Sequence, residues 1–365
     1  MTTAYAASTL AVLPQDEQET RAKEILRRFA DSAAGASAKV LYELFGHFQT
    51  RRTNQTERTI TLKGERQLKA LPLLGALDGW IVDSACDSII AALKKKYSKL
   101  PPMGRCWLDP KLKNIPLPTN MRSFSESLQV TVRGTRVPLD NPDAKVVRFY
   151  VHWKDEKGNI DLDLSSTFVR PDGTVEYLSW CTGYKTEYGC HSGDVRHRIG
   201  DCAEYIDIII EQARKQFQYV LVDVRNYDRR SIAQVAPVFG YMERSFPESN
   251  PIWVPKTVNN SFIMTSKSST TMAIAFDLQT LEYVVLDIDM SGIPAAACNA
   301  EANIPLIQKF LEPPKISVYD LLAWHVEARN GVLVEDEQKE TAQEKFCFKD
   351  FATTYVNTLK WMTAP

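Results

Sequence analysis

The run DLDLSSTFV at residues 161–169 decides the fold prediction for the middle of the chain. It follows a turn-forming segment at 156–159 and precedes Arg170-Pro171-Asp172-Gly173. Proline fixes φ and glycine accepts the positive φ that closes a hairpin, so residues 170–173 predict a turn between two strands. We therefore expect residues 161–169 to form one strand of an antiparallel sheet.

Further strands are predicted on both sides of this run. Residues 127–132 alternate in polarity, and residues 146–153 are rich in β-branched and aromatic side chains. Downstream, similar segments occur at 205–210, 219–224, 238–243, 272–277 and 283–289. Short strands at a spacing of roughly ten residues are typical of a β-sandwich. The predicted fold class is α+β, with a central antiparallel β-sandwich at residues 121–294 between N-terminal and C-terminal helical segments.

The segment before the sandwich is predicted to be helical. Residues 1–15 are small and unpatterned, which indicates a flexible tail. Within the N-terminal region, residues 16–120, apolar residues recur at helical spacing on both sides of a small-residue break at 33–36. A third helix is predicted at 77–97, where three lysines fall in the last turn.

Helices are predicted again after the sandwich, in the C-terminal region at residues 295–365. Ser317 and Asp320 have the spacing of a capping box, and Gly331 is placed to end the helix that follows. A last helix is predicted from Glu340 to Lys360.

Composition limits the function classes. The 44 Lys and Arg nearly cancel the 45 Asp and Glu, so no overall field attracts nucleic acid, and no nucleic-acid partner is predicted. No apolar run reaches the roughly 18 residues that span a bilayer, and the N-terminus lacks the basic residues of a secretory signal. A cytoplasmic protein is expected, in which the seven cysteines are reduced. Peripheral membrane association stays open.

Acidic residues in and after the key strand are candidate metal ligands. Asp161 and Asp163 are two apart, so their side chains leave one face of the strand about 7 Å from each other. A second acidic set follows at Asp194, Asp201 and Glu204, in a glycine-containing stretch. Calcium accepts six to eight oxygen ligands with loose geometry, which two short acidic loops can supply. The alternative interpretation is that these carboxylates are ordinary surface charges.

Several motifs follow one another in a characteristic order. They are the acidic run at 161–165, the turn at 171–173, His191-Ser192-Gly193-Asp194, and the strand at 219–222 that leads into Asn226-Tyr227. In order and spacing, these motifs resemble the TerD family of tellurium-resistance and stress proteins. The similarity covers roughly residues 125–290. The arrangement is similar to the longer members, in which helical segments flank the TerD domain.

The resemblance implies a β-sandwich whose loops at one end bind calcium. In that interpretation Asp161, Asp163 and Asp194 match positions near the ion, while Asp201 and Glu204 match less well. The family is tied to tellurite and oxidative stress, phage resistance and membrane-associated assemblies, so protein partners or self-assembly are expected. The absence of phosphate-loop, serine-nucleophile and His-Glu-x-x-His motifs predicts a protein without enzymatic activity. No catalytic residues are predicted.

Two alternatives to calcium binding remain open at this stage. Arg196 or Arg198 in the acidic loop could replace calcium, which would leave a scaffolding protein with a degenerate ion site. The same carboxylates could hold magnesium or manganese in a metal-dependent hydrolase. Zinc binding by Cys181, Cys190, His191 and Cys202 is disfavoured because the spacing of the cysteines matches no common ligand pattern.

Overall fold

The computed structural model describes residues 15–55, 59–61, 68–118, 132–196, 198–249, 258, 260–290, 308, 311–312, 314–352 and 355–363. The chain divides into two compact units. The helical unit comprises Met1–Ile60, Leu68–Met121 and Pro314–Pro365, and the sandwich unit comprises Thr61–Gln67 and Arg122–Pro313. The two predicted helical regions therefore belong to one unit. Residues 1–14, and residues 127–131 of the strand predicted at 127–132, lie outside the described residues.

The elements are numbered in chain order. The described α-helices are α1 Gln15–Ala33, α2 Ala38–Gln49, α3 Gly79–Tyr97, α4 Ile210–Ala213, α5 Ile232–Val235, α6 Val318–Ala328, α7 Phe348–Ala352 and α8 Tyr355–Met362. The described strands are β1 Thr59–Thr61, β2 Leu68–Ala70, β3 Arg105–Leu108, β4 Arg136–Pro138, β5 Val146–Asp155, β6 Leu162–Val169, β7 Val175–Leu178, β8 Gly189–His191, β9 Gly200–Ile209, β10 Tyr219–Asn226, β11 Val238–Arg244, β12 Asn260–Ile263, β13 Thr270–Asp277, β14 Glu282–Asp289, β15 Val332–Leu333 and β16 Glu344–Phe346. The combination of antiparallel sheets and helices confirms the predicted α+β class.

The described residues of the sandwich unit form two antiparallel sheets. One has six strands in the order β4-β14-β13-β10-β6-β7, and the other has five in the order β12-β11-β5-β9-β8. Aromatic side chains pack between the sheets: the ring of Phe149 on β5 contacts Phe276 on β13, with centroids 5.9 Å apart. Phe168 on β6 likewise contacts Tyr188, with centroids 4.6 Å apart. Burial of such rings is a main source of the stability of a sandwich.

The predicted hairpin turn is confirmed. Strands β6 and β7 pair antiparallel with Val169 opposite Val175. Gly173 has a φ of +86°, which a residue with a Cβ adopts only with strain. The Arg170 amide donates to the carbonyl of Thr174 at 2.8 Å and closes the turn. Strand β7 ends at Leu178, opposite Ser166, so β6 continues toward its acidic end without this neighbour.

The helical unit begins with α1 and α2, which confirm the predicted helix break. The hydroxyl of Ser37 accepts from the Val40 amide at 3.4 Å and caps α2. The capping box before α6 is also confirmed, because Asp320 donates its amide to Ser317 Oγ and accepts the Ser317 amide at 2.8 Å. A parallel three-stranded sheet in the order β15-β3-β16 belongs to the same unit.

The predicted single helix from Glu340 to Lys360 is wrong. Residues 336–341 form a 3₁₀ helix, and β16 then pairs parallel to β3 with Phe346 opposite Leu108. The amide of Phe348 donates to Asp109 Oδ2 at 3.1 Å, after which α7 and α8 follow. Pairing with a strand more than two hundred residues earlier in the chain overrides local helix propensity here.

Candidate metal centre

Three predicted ligands converge at the start of β6. Asp161 precedes the strand, Asp163 is its second residue, and Asp194 lies in the loop between β8 and β9. One carboxylate oxygen of each lies within 4.8 Å of the others. Asp161 and Asp163 share a face because they are two residues apart in extended chain. The long loop after β8 brings the third carboxylate to the same point.

Side chains hold the backbone of β6 where β7 no longer pairs with it. The Leu164 amide donates to Glu204 Oε2 at 2.9 Å, and the Leu164 carbonyl lies 2.8 Å from His191 Nε2. Both groups come from the other sheet, on β9 and β8. The position of Asp163 is thus fixed by hydrogen bonds to the neighbouring residue.

His191 also shapes the loop that carries Asp194. Its Nδ1 accepts a hydrogen bond from the Gly193 amide at 3.0 Å, so in the neutral ring Nε2 carries the proton and donates to Leu164. Burial lowers the pKa of His191, and the ring is therefore neutral near physiological pH. Gly193 has a φ of +97°, which favours glycine at the bend.

The electrostatics of the cluster are unfavourable for three ionised carboxylates. Asp163 is 4% exposed, and burial, followed by the charges of Asp161 and Asp194, raises its pKa to about 7. Arg225 and Arg196 act in the opposite direction. Among the described residues, Asp163 Oδ2 and Asp194 Oδ1 have no hydrogen-bond partner although both atoms are buried. Such oxygens are normally satisfied by protein, water or a cation.

Arg196 already neutralises part of the cluster. Its Nε donates to Asp194 Oδ2 at 2.5 Å, and its Nη2 approaches the same oxygen. The guanidinium lies over the ring of Trp180 at 5.9 Å. The Arg196 side chain is 56% exposed, whereas that of Asp194 is 9% exposed. One of the sequence-based alternatives is that arginine replaces calcium. The structure shows such a contact at one carboxylate oxygen of the cluster, Asp194 Oδ2.

Glu204 lies beside the cluster, but its carboxyl oxygens accept hydrogen bonds from backbone amides. Its Oε1 accepts from the Val195 amide at 2.9 Å, and its Oε2 accepts from Leu164. The side chain is 1% exposed, and burial raises its pKa to about 8 against the lowering effect of both amides. With both oxygens engaged, Glu204 is placed to support the site and not to ligate an ion.

Asp201 lies outside the cluster, contrary to the convergence expected from sequence. It is 80% exposed, and its Oδ1 lies 3.4 Å from His152 Nε2. Both Asp201 and Glu204 belong to β9, three residues apart, and an odd separation places two side chains on opposite faces of a strand. Glu204 and Asp201 therefore cannot point to a common ion.

The sequence did not reveal that Arg225 faces the cluster. Arg225 on β10 lies directly opposite Asp163 on β6 in the strand pairing. Only the register between these strands shows the relationship, although both residues stand at the ends of predicted strands. By contrast, Arg230 pairs with Asp228, which is only two residues away in the sequence, at 2.9 Å.

The cysteines near the site do not form a metal centre within the described part of the chain. Cys181 is exposed, whereas Cys190 and Cys202 are buried. Burial raises the pKa of Cys190 to about 12, so this thiol stays protonated. None of the helices in the described residues is long and apolar enough to cross a membrane.

The chain is similar to solved structures of other proteins, but only at low sequence identity. No protein-family model matches the sequence, and no curated protein matches it. Among solved structures, the chain is similar to a homologue of telluride resistance protein (TerD), SCO6318 from Streptomyces coelicolor A3(2). The identity is 12%, the match covers 41% of this chain and 93% of that chain, and the TM-score is 0.33.

A second similar structure is that of the unknown function protein SAV2460. Here the identity is 14%, the coverage is 40% of this chain and 92% of that chain, and the TM-score is 0.31. At TM-scores this low, neither structure adds weight to a functional assignment.

Proposed function

We propose that the sandwich unit binds a divalent cation through Asp161, Asp163 and Asp194, and that calcium is the preferred ion. The observation that carries the proposal is the buried Asp163 Oδ2, which has no hydrogen-bond partner among the described residues. It belongs to a side chain that is 4% exposed and that joins two other carboxylates within 4.8 Å. A cation between them would offset the repulsion that raises the pKa of Asp163.

The ligand types favour a hard cation. Three carboxylates supply only oxygen, which suits calcium, magnesium and manganese better than zinc. Calcium fits best because it tolerates irregular geometry and completes its shell with water or carbonyl oxygens. Because ion binding requires Asp163 to be ionised, the affinity should increase as the pH rises through about 7.

The wider role in this proposal is that of a non-enzymatic protein acting through protein–protein contacts in the cytoplasm. It rests on the resemblance of residues 125–290 to the TerD family, which implies a part in tellurite or oxidative stress and in phage defence. Protein partners or self-assembly would then transmit the state of the ion site.

Two other functions compete with this proposal. The contact of Arg196 with Asp194 favours a scaffolding protein whose ion site is degenerate. The hydrolase alternative needs an open metal position beside a substrate cleft, and a screen of phosphoesters with each divalent ion tests it.

Isothermal titration calorimetry of the full chain with calcium, magnesium and manganese tests the proposal. Wild-type protein should bind calcium, and Asp163→Asn should weaken binding more than about tenfold, because it removes a charged ligand. The matched control is Asp143→Asn, an exposed residue in the same unit, which should leave binding unchanged. Without calcium, Asp163→Asn should be at least as stable as wild type, because it relieves repulsion. Absence of calcium binding by a folded wild-type protein would support the degenerate site.

A further inference from the structure

We propose that calcium at this site displaces Arg196 from Asp194, and that the freed guanidinium and the ion together bind a phosphate group. This inference rests on the proposed cation site. The starting observation is that Asp194 is shared: Oδ2 accepts from Arg196, while Oδ1 is buried and has no partner among the described residues. One carboxylate thus faces both a tethered cation and the position that a free cation would occupy.

A divalent ion and the guanidinium compete for this carboxylate. Two positive charges a few ångströms apart repel each other, and the divalent ion interacts with Asp161 and Asp163 as well as with Asp194. Arg196 interacts with the cluster mainly through Asp194 and from the solvent side, where its side chain is 56% exposed. Movement of Arg196 would disturb its contact with Trp180 but would not require unpacking of the core.

Binding of a divalent ion makes this end of the sandwich more positive. Asp163 interacts with the carboxylates of Asp161 and Asp194 and with the guanidinium groups of Arg225 and Arg196. The buried Asp223 also interacts with Arg225 and Asp163. A divalent ion adds two positive charges to this group, so an anion is favoured more strongly in the loaded state.

Phosphate fits the chemistry of that state. The planar guanidinium presents paired N–H donors that match phosphate oxygens, and calcium takes further oxygen ligands when protein carboxylates leave its shell incomplete. A phosphate monoester can contact both groups at once. The empty coordination positions and the freed donor would thus be satisfied by a single ligand.

The phosphate could belong to a soluble compound or to a lipid headgroup. Ile199 is 71% exposed and Tyr227 is 54% exposed, and each is only a few residues from one of the two arginines. Exposed apolar side chains beside a cationic site are suited to a lipid surface. The two sources share the same site chemistry, and the experiment separates them.

The test measures calcium and phosphate binding in parallel. Glycerol 3-phosphate is titrated into the full chain with saturating calcium or with chelator, and vesicles of phosphatidylcholine with or without phosphatidic acid are used in sedimentation. If the phosphate group is sufficient for recognition, glycerol 3-phosphate and the vesicles with phosphatidic acid should both bind, and both should require calcium. Binding of the vesicles alone would assign the phosphate to a lipid. Either pattern supports the inference.

Arg196→Gln gives the decisive signature, because its two expected effects have opposite signs. Calcium affinity should rise about threefold to tenfold, since a competing cation is removed, while phosphate-probe binding should fall more than about tenfold. Arg230→Gln is the matched control, because Arg230 is already paired with Asp228, and it should change neither quantity.

The outcomes separate this inference from the proposed function. If calcium binds normally but Arg196→Gln leaves calcium affinity unchanged, or if neither probe binds with calcium, the inference is overturned and the cation site stands. If wild-type protein binds no divalent ion, both fail together.

Discussion

Glu204 and Leu164 lie on different sheets of the sandwich, and the Glu204 carboxylate accepts the Leu164 amide at 2.9 Å. Strand β7 stops before it reaches this part of β6, so the amide would otherwise be a buried donor without a partner. The second oxygen of the same carboxylate accepts the Val195 amide. One buried side chain therefore joins the strand of Asp163 to the loop of Asp194.

We expect Glu204→Ala to destabilise the sandwich unit by about 2–4 kcal/mol, because it leaves the buried Leu164 amide and the partly buried Val195 amide unsatisfied. Urea denaturation measures the change. Glu211→Ala, at an exposed position just after β9, is the control and should have little effect. The variant should also lower calcium affinity, since Asp163 and Asp194 would no longer be held together. Equal stability of the two variants would contradict the structural role of Glu204.

Much of the fold could be predicted because its signals are local. The predicted strands that lie within the described part of the sandwich, the turn at 170–173 and the capping box at Ser317 each depend on neighbouring residues, and the structure confirms them. The C-terminal error at residues 340–360 has a distant cause, since β16 forms by pairing with β3. No pattern within the C-terminal segment itself encodes that partner.

The site shows the same division between local and distant information. The spacing of Asp161 and Asp163 was sufficient to place both on one face of a strand. Glu204 and Asp201 were grouped by sequence proximity, but the unbroken strand β9 separates them by its alternation. The position of Arg225 opposite Asp163 depends on strand register, which the sequence does not specify without the partner strand.

A second prediction concerns the buried ion pair of Arg148 and Asp207. Both side chains are fully buried, and the guanidinium donates to the two carboxylate oxygens at 2.6 and 2.8 Å. Removing one partner leaves a buried charge without compensation, so Arg148→Met should cost about 3–5 kcal/mol. The double variant Arg148→Met/Asp207→Leu should recover much of this loss.

A double-mutant cycle by urea denaturation measures the coupling between the two residues. Lys185→Met is the comparison, because Lys185 forms an exposed pair with Glu248, and it should change stability little. If Arg148→Met lowered the free energy of unfolding no more than Lys185→Met does, the buried ion pair would contribute no more to stability than an exposed one.

A third prediction contrasts two glycines. A Cβ on Gly189 would lie 2.7 Å from the Asp207 carbonyl oxygen and 3.1 Å from Leu178 Cδ2, so Gly189→Ala forces β8 away from β9. We expect a loss of about 1–3 kcal/mol. Gly46 lies within α2, and a Cβ added there would meet no atom within 4 Å, so Gly46→Ala should increase stability by about 0.5–1 kcal/mol. Thermal denaturation of the two variants should show opposite shifts, and shifts of the same sign would contradict this packing.

The last prediction concerns the pH dependence of the helical unit. His325 on α6 is fully buried, stacks on Tyr97 with ring centroids 3.7 Å apart, and hydrogen-bonds the Trp361 carbonyl at 3.0 Å. Burial lowers its pKa from 6.5 to about 4. The folded protein therefore keeps this ring neutral over a pH range in which the unfolded chain protonates it.

This difference fixes the sign of the effect. Because the unfolded state binds the extra proton, stability is full above about pH 6.5 and falls as the pH decreases toward 4, by about 1.4 kcal/mol per pH unit. His325→Phe keeps an aromatic ring against Tyr97 but cannot titrate. Its free energy of unfolding should be lower than wild type at neutral pH, because the hydrogen bond to Trp361 is lost, and should decline less steeply in acid. Urea denaturation of both proteins between about pH 7 and pH 5 measures how steeply the free energy of unfolding of each depends on pH. Identical slopes would contradict the claim that burial keeps His325 neutral in the folded state.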